Sequence, residues 1–132
     1  MNTKVKKKNR WKGGSNHPIK HLMAMAQGNK CFYCYKTMER RAKNGRVNVR
    51  LLTIDHLVPR CDGGSAVMVA ACWQCNHCKG DRQPSREELL NFRTIIQTSV
   101  YMVSARNFQT KALEEVNYWL KRYFGTVIID EV

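Results

Sequence analysis

Two stretches carry the information that decides the fold: Leu52-Thr53-Ile54-Asp55-His56-Leu57-Val58-Pro59-Arg60, and Ala71-Cys72-Trp73-Gln74-Cys75-Asn76-His77-Cys78-Lys79-Gly80-Asp81-Arg82. In the first, an apolar, β-branched run over 47–54 predicts a strand, and a polar Asp-His pair closes it. Pro59 and the Asp62-Gly63-Gly64-Ser65 stretch then mark a loop. Residues 66–70 read as a short returning strand, and 72–79 as a helix stopped by Gly80 and Asp81. Adjacent residues on an ideal strand face opposite sides. Asp55 and His56 can therefore serve one site only where the strand is ending.

Outward from this centre, Cys31 and Cys34 form a C-x-x-C pair, and Cys72 and Cys75 form another. No apolar stretch in the first twenty residues resembles a secretory leader, which predicts a cytosolic chain with reduced thiols. Two such pairs then read as knuckles of a tetrahedral thiolate site, whose four-ligand shell suits structural zinc. Unliganded cysteines and an iron–sulfur centre are the competing readings. Cys61 and Cys78 are left over and read as free thiols, with Cys78 or His77 as the competing ligands. The segment between the knuckles would be looped out and pinned at its base.

Composition points to the partner. The 132 residues carry 23 Lys+Arg against 10 Asp+Glu, a net charge of +13. Residues 1–86 hold 18 basic and 4 acidic side chains, and 87–132 hold 5 and 6, so the excess lies in the first two thirds. A polyanion is the expected partner. The longest apolar run, Ala66–Trp73, is far short of the roughly twenty residues of a membrane span. Residues 1–20 form a basic arm containing Lys6, Lys7, Lys8 and Arg10, all expected to contact nucleic acid, with Trp11 either stacking on a base or packing back. Lys36, Arg40, Arg41, Lys43, Arg46 and Arg50 form a second basic stretch. Arg60, Lys79 and Arg82 are candidate phosphate clamps.

The chain after residue 84 changes character. Ser85 and Glu88 have the spacing of a capping box, and Leu89, Phe92, Ile95 or Ile96, and Val100 share one helical face. A second helix is expected over 107–124 with the stripe Phe108, Ala112, Leu113, Val116, Trp119, Leu120 and Tyr123, stopped by Gly125. Thr126–Ile129 reads as a short edge strand. The segments are thus an arm (1–20), a core with the knuckles (21–84) and a helical extension (85–132) packed on it.

The order strand-Asp-His, Pro-Arg, Gly-Gly-Ser, Ala-Ala-Cys-x-x-Cys-Asn-x-x-Lys-Gly-Asp-Arg resembles the HNH endonuclease family in its four-cysteine, zinc-stapled form, over about residues 30–83. The resemblance implies an α+β fold: a ββα-metal core with its four-cysteine zinc site, here followed by C-terminal helices. It implies hydrolysis of DNA phosphodiester bonds, with His56 as general base, and Asp55 and Asn76 as ligands of one Mg²⁺ or Mn²⁺ ion. A neutral imidazole can take a proton from water, and oxygen ligands suit a hard cation. Double-stranded DNA, a monomer or homodimer, and a phage or homing-type setting follow from the same likeness. One position departs from the family: Val67 stands where a middle Asn commonly braces the loop that carries the catalytic His, and Asn48 or another polar group would have to replace it. The alternative function is a zinc-stapled nucleic-acid-binding module without catalysis. RNA as the substrate stays open as well.

Overall fold

A computed structural model describes residues 17–40 and 48–129. The described chain is a mixed α and β structure: helices α1 (Ile19–Ala26), α2 (Trp73–Lys79), α3 (Arg86–Thr98) and α4 (Arg106–Phe124), and strands β1 (Leu52–His56) and β2 (Met68–Cys72) paired antiparallel. It forms two compact units. One contains the described residues up to Asp55 together with Val69–Gly80; the other contains His56–Met68 and the described residues from Asp81 onward. The unit boundaries therefore cut through the 21–84 segment and group the loop after His56 with the C-terminal helices. Among the described residues no helix is long and apolar enough to cross a membrane.

In the first unit, α1 is followed by Gly28-Asn29, both with positive φ (66° and 61°), which turn the chain out of the helix. His17 accepts the Ile19 N–H at its Nδ1 and so caps the helix start. The Gln27 side chain closes the unpaired edge of β2: its amide donates to the Ala70 carbonyl (2.8 Å) and its oxygen accepts the Ala70 N–H (2.9 Å). Phe32 N–H bonds the same carbonyl (3.0 Å). An edge so covered does not recruit other strands. β2 is buried along its whole length, and Leu52, Met23 and Met38 complete the core around it.

Both strands lie later in the chain than the sequence suggests. The run over 47–54 yields β1 only from Leu52, after a turn at 49–50, and the returning strand is 68–72 rather than 66–70. A strand buried on both faces has no polar alternation to mark its ends, so the apolar run gives its presence but not its register.

In the second unit the capping box forms as read: Ser85 Oγ accepts the Glu88 N–H, and Glu88 accepts the Ser85 N–H (2.9 Å). Leu89, Phe92 and Ile96 are buried against Ala112, Val116 and Leu120 of α4. Val100 does not continue that face. The helix stops at Thr98, Ser99 caps a 3₁₀ segment (Val100–Ala105), and Val100 is 75% exposed while Met102 turns inward. Gly125, at φ 67°, ends α4 as expected. Residues 125–129 form no strand; instead Thr126 accepts the Arg86 guanidinium at its hydroxyl (3.0 Å).

Candidate metal centre and its neighbours

The Cys31-Phe32-Tyr33-Cys34 turn is closed by Tyr35 N–H to Cys31 O and Cys31 N–H to Lys36 O, both 2.9 Å. Lys30 and Thr37 form an antiparallel bridge beneath it. The turn demands a left-handed residue after the second cysteine, and Tyr35 supplies it at φ 63°, a conformation L side chains resist. Opposite, Cys72 ends β2 and caps α2, which places Cys75 in the helix's first turn.

These elements bring four thiols together. The sulfurs of Cys31, Cys34, Cys72 and Cys75 all lie within 4.8 Å of one another, and could hold a metal ion such as zinc. A tetrahedral zinc–thiolate shell with bonds of about 2.3 Å places its sulfurs about 3.8 Å apart. Cys34 and Cys72 stand at 4.0 Å. The surroundings suit thiolates: Tyr33 N–H approaches Cys31 Sγ (3.3 Å) and Arg50 Nη1 approaches Cys34 Sγ (3.7 Å), the outer contacts that orient metal ligands. Burial pushes the Cys34 thiol up, but the Lys36 N–H and the neighbouring thiols more than reverse it, to about 7. Burial, then the Cys72 thiol and the Cys31 charge, push Cys75 the other way. Four sulfurs this close share negative charge only around a cation. Cys61 and Cys78 are exposed and outside the cluster.

Asp55 lies next to this centre in the same unit, and is only 8% exposed. Its Oδ2 accepts the Tyr33 hydroxyl (2.5 Å) and faces Lys79 Nζ at 3.4 Å. Tyr33 sits between the two cysteines of the first knuckle, and Lys79 closes the helix that the second knuckle begins. The four-cysteine turn elements therefore also position the carboxylate. Asn76, one turn before Lys79, donates its amide to Thr53 Oγ1 (3.0 Å) and to the Ile54 carbonyl (3.2 Å). Both hydrogens go to β1 beside Asp55, so the Oδ1 atom is what this amide can offer a cation. Thr53 in turn donates to the Ala71 carbonyl (2.7 Å).

His56 is the last residue of β1, half-buried, and groups with the second unit. Asp55 is buried and His56, the next and last residue of the strand, is partly open. The strand does end at this pair. Asp55 and Asn76 are thus brought to one place in one unit, and His56 follows Asp55 along the chain.

The clamp candidates divide. Lys79 is buried and paired with Asp55, not turned to solvent. Arg82 makes a bidentate pair with Glu88 (3.0 and 3.1 Å), its side chain still half exposed. Arg60 is exposed in a 3₁₀ turn. Of the second basic stretch, Arg50 is turned to Cys34, and Arg40 donates to His21 Nδ1 (2.8 Å). Lys6, Lys7, Lys8, Arg10 and Trp11 lie outside the described residues, as do Arg41, Lys43 and Arg46. Asn48 donates its amide to Glu39 and accepts the Arg50 N–H (2.9 Å) at its Oδ1. Tyr33 and Thr53 escape sequence reading because nothing local marks an aromatic inside a knuckle or a strand threonine as a partner of Asp55 and Asn76.

A comparison with known protein-family models finds no match to this chain, and a comparison with curated proteins finds no relative of it.

Proposed function

We propose that this chain is a metal-dependent HNH endonuclease that hydrolyses DNA phosphodiester bonds. The observation that carries the reading is the Asn76 amide, which bonds Thr53 and the Ile54 carbonyl on the strand whose next residue is the buried Asp55. A carboxylate and an amide oxygen form a donor set that fits Mg²⁺ or Mn²⁺, which keep several waters and take few protein ligands. Such an ion, held by Asp55 and Asn76, would balance charge on the phosphate oxygens. His56 takes the proton from the attacking water; it follows Asp55 directly and is partly open to solvent. Lys79 stabilises the buried Asp55 charge. The zinc centre is structural in this reading, since its four thiolates complete the coordination shell. The basic excess supplies salt-dependent affinity for the DNA backbone.

One observation favours the second reading, a zinc-stapled nucleic-acid-binding module: Asp55 Oδ2 holds both Tyr33 and Lys79, a sufficient structural reason for its presence. Mn²⁺ titration followed by electron paramagnetic resonance separates the two. The nuclease binds one Mn²⁺ beyond zinc, and Asp55→Asn weakens it at least about tenfold. Absence of that Mn²⁺ in the DNA-bound wild type leaves the binding module.

A further inference from the structure

The loop that follows His56 is held by a residue from the far end of the chain. Leu57 N–H bonds Val67 O (2.9 Å) and closes the loop's base. Leu57, Val58 and Val67 are buried, so the base is apolar and offers the loop backbone no side-chain acceptor. Gly64 presses against Val58, where a Cβ would stand 1.8 Å from the carbonyl oxygen. The next two backbone donors then turn to Glu115 of α4. Ser65 N–H bonds Oε2 (3.0 Å) and Ala66 N–H bonds Oε1 (2.5 Å). Trp119, one helical turn on, donates its indole N–H to Oε2 (2.8 Å) and packs its ring 3.6 Å from the Cβ position of Gly63. A carboxylate that accepts three N–H groups makes charge-assisted bonds, the strong kind. Its orientation is fixed from the helix side by Trp119.

We propose that Glu115 is the positioning residue for His56. It clamps the outer side of loop 57–67, keeps Leu57 on Val67, and so stops the end of β1 from fraying at the residue that takes the proton. The proposal rests on the nuclease reading, and its effect is on His56 geometry rather than on DNA affinity.

The test uses the full zinc-loaded chain, Glu115→Gln, Glu115→Ala and, as a control on the same helix, the exposed Glu114→Gln. Gln keeps the shape but has one acceptor for two loop amides. Three readouts are taken: hydrogen exchange at Ser65 and Ala66, the His56 Cε1–H resonance, and plasmid cutting resolved into rate at saturating DNA and DNA affinity. Expected are exchange at both amides faster by about 10-fold or more, a shifted or broadened His56 resonance, and a cutting rate lower by about 10- to 100-fold at unchanged affinity and zinc content. The Gln variant keeps more activity than the Ala variant, and Glu114→Gln matches wild type. Unchanged exchange in both Glu115 variants overturns the clamp. Faster exchange with an unmoved His56 resonance overturns the positioning role. If wild type cuts nothing with any metal, the nuclease reading fails by itself, and the exchange and resonance measurements still decide what Glu115 holds.

Discussion

Replacing Lys79 by Met tests whether the buried ion pair organises the first unit. The ammonium lies 3.4 Å from Asp55 Oδ2, with side chains only 3% and 10% exposed. At an effective dielectric of about 20, two charges at that separation attract by about 5 kcal/mol. Desolvation of both groups offsets much of this, but Met removes only one partner and leaves the carboxylate buried. Breaking such a pair from one side costs about 3–5 kcal/mol. The Tyr33 hydroxyl remains on Asp55, so the lower end, about 3 kcal/mol, is expected. Urea unfolding followed by Trp73 fluorescence reads this directly, because Trp73 begins the helix that Lys79 ends. With a slope of about 1.5 kcal/mol/M the midpoint falls by about 2 M. Asp55→Asn is also destabilising, and the double variant loses less than the sum by at least about 1 kcal/mol. If Asp55 holds a metal as proposed, Mn²⁺ restores part of the loss in Lys79→Met by replacing the missing positive charge. A Lys79→Met protein within about 0.5 kcal/mol of wild type, or strict additivity in the cycle, refutes the reasoning.

Three further outcomes are expected. Purified protein carries one equivalent of zinc per chain; Cys75→Ala loses it, and chelation collapses far-UV circular dichroism from the first unit, whose helices run only 7–8 residues and do not hold alone. Tyr35→Gly stabilises by about 0.5–1 kcal/mol in thermal unfolding, because Tyr35 is 65% exposed and sits at φ 63°; a loss of stability instead would mean its ring packs usefully. Gly64→Ala destabilises by about 2–3 kcal/mol, since its Cβ would fall 1.8 Å from Val58 O and the backbone must move; a neutral result by calorimetry would contradict that close approach.

The parts legible in the sequence are those set by local chemistry. The capping box fixes the start of α3, the 3.6-residue stripe gives α3 and α4, and the two C-x-x-C spacings give the thiol cluster. Strand register was not legible, because β2 is buried on both faces and its apolar run extends past its ends. Val100 fits the stripe in sequence, yet Ser99 redirects the chain one residue earlier. Lys79 reads as a solvent-facing clamp in any one-dimensional view. Only the return of α2 onto β1 shows it buried on Asp55. Glu115 lies 50 residues from Ser65, and no local signal connects them.

The most direct test of the central claim is cutting of supercoiled plasmid by wild type and His56→Ala, side by side, in Mg²⁺, Mn²⁺ or EDTA, with DNA retardation measured on the same preparations. The nuclease reading predicts metal-dependent nicking or linearisation by wild type alone, with both proteins retarding the DNA equally. Equal cutting by both would contradict His56 as the base. Retardation without cutting by either, in every metal, would contradict the nuclease itself.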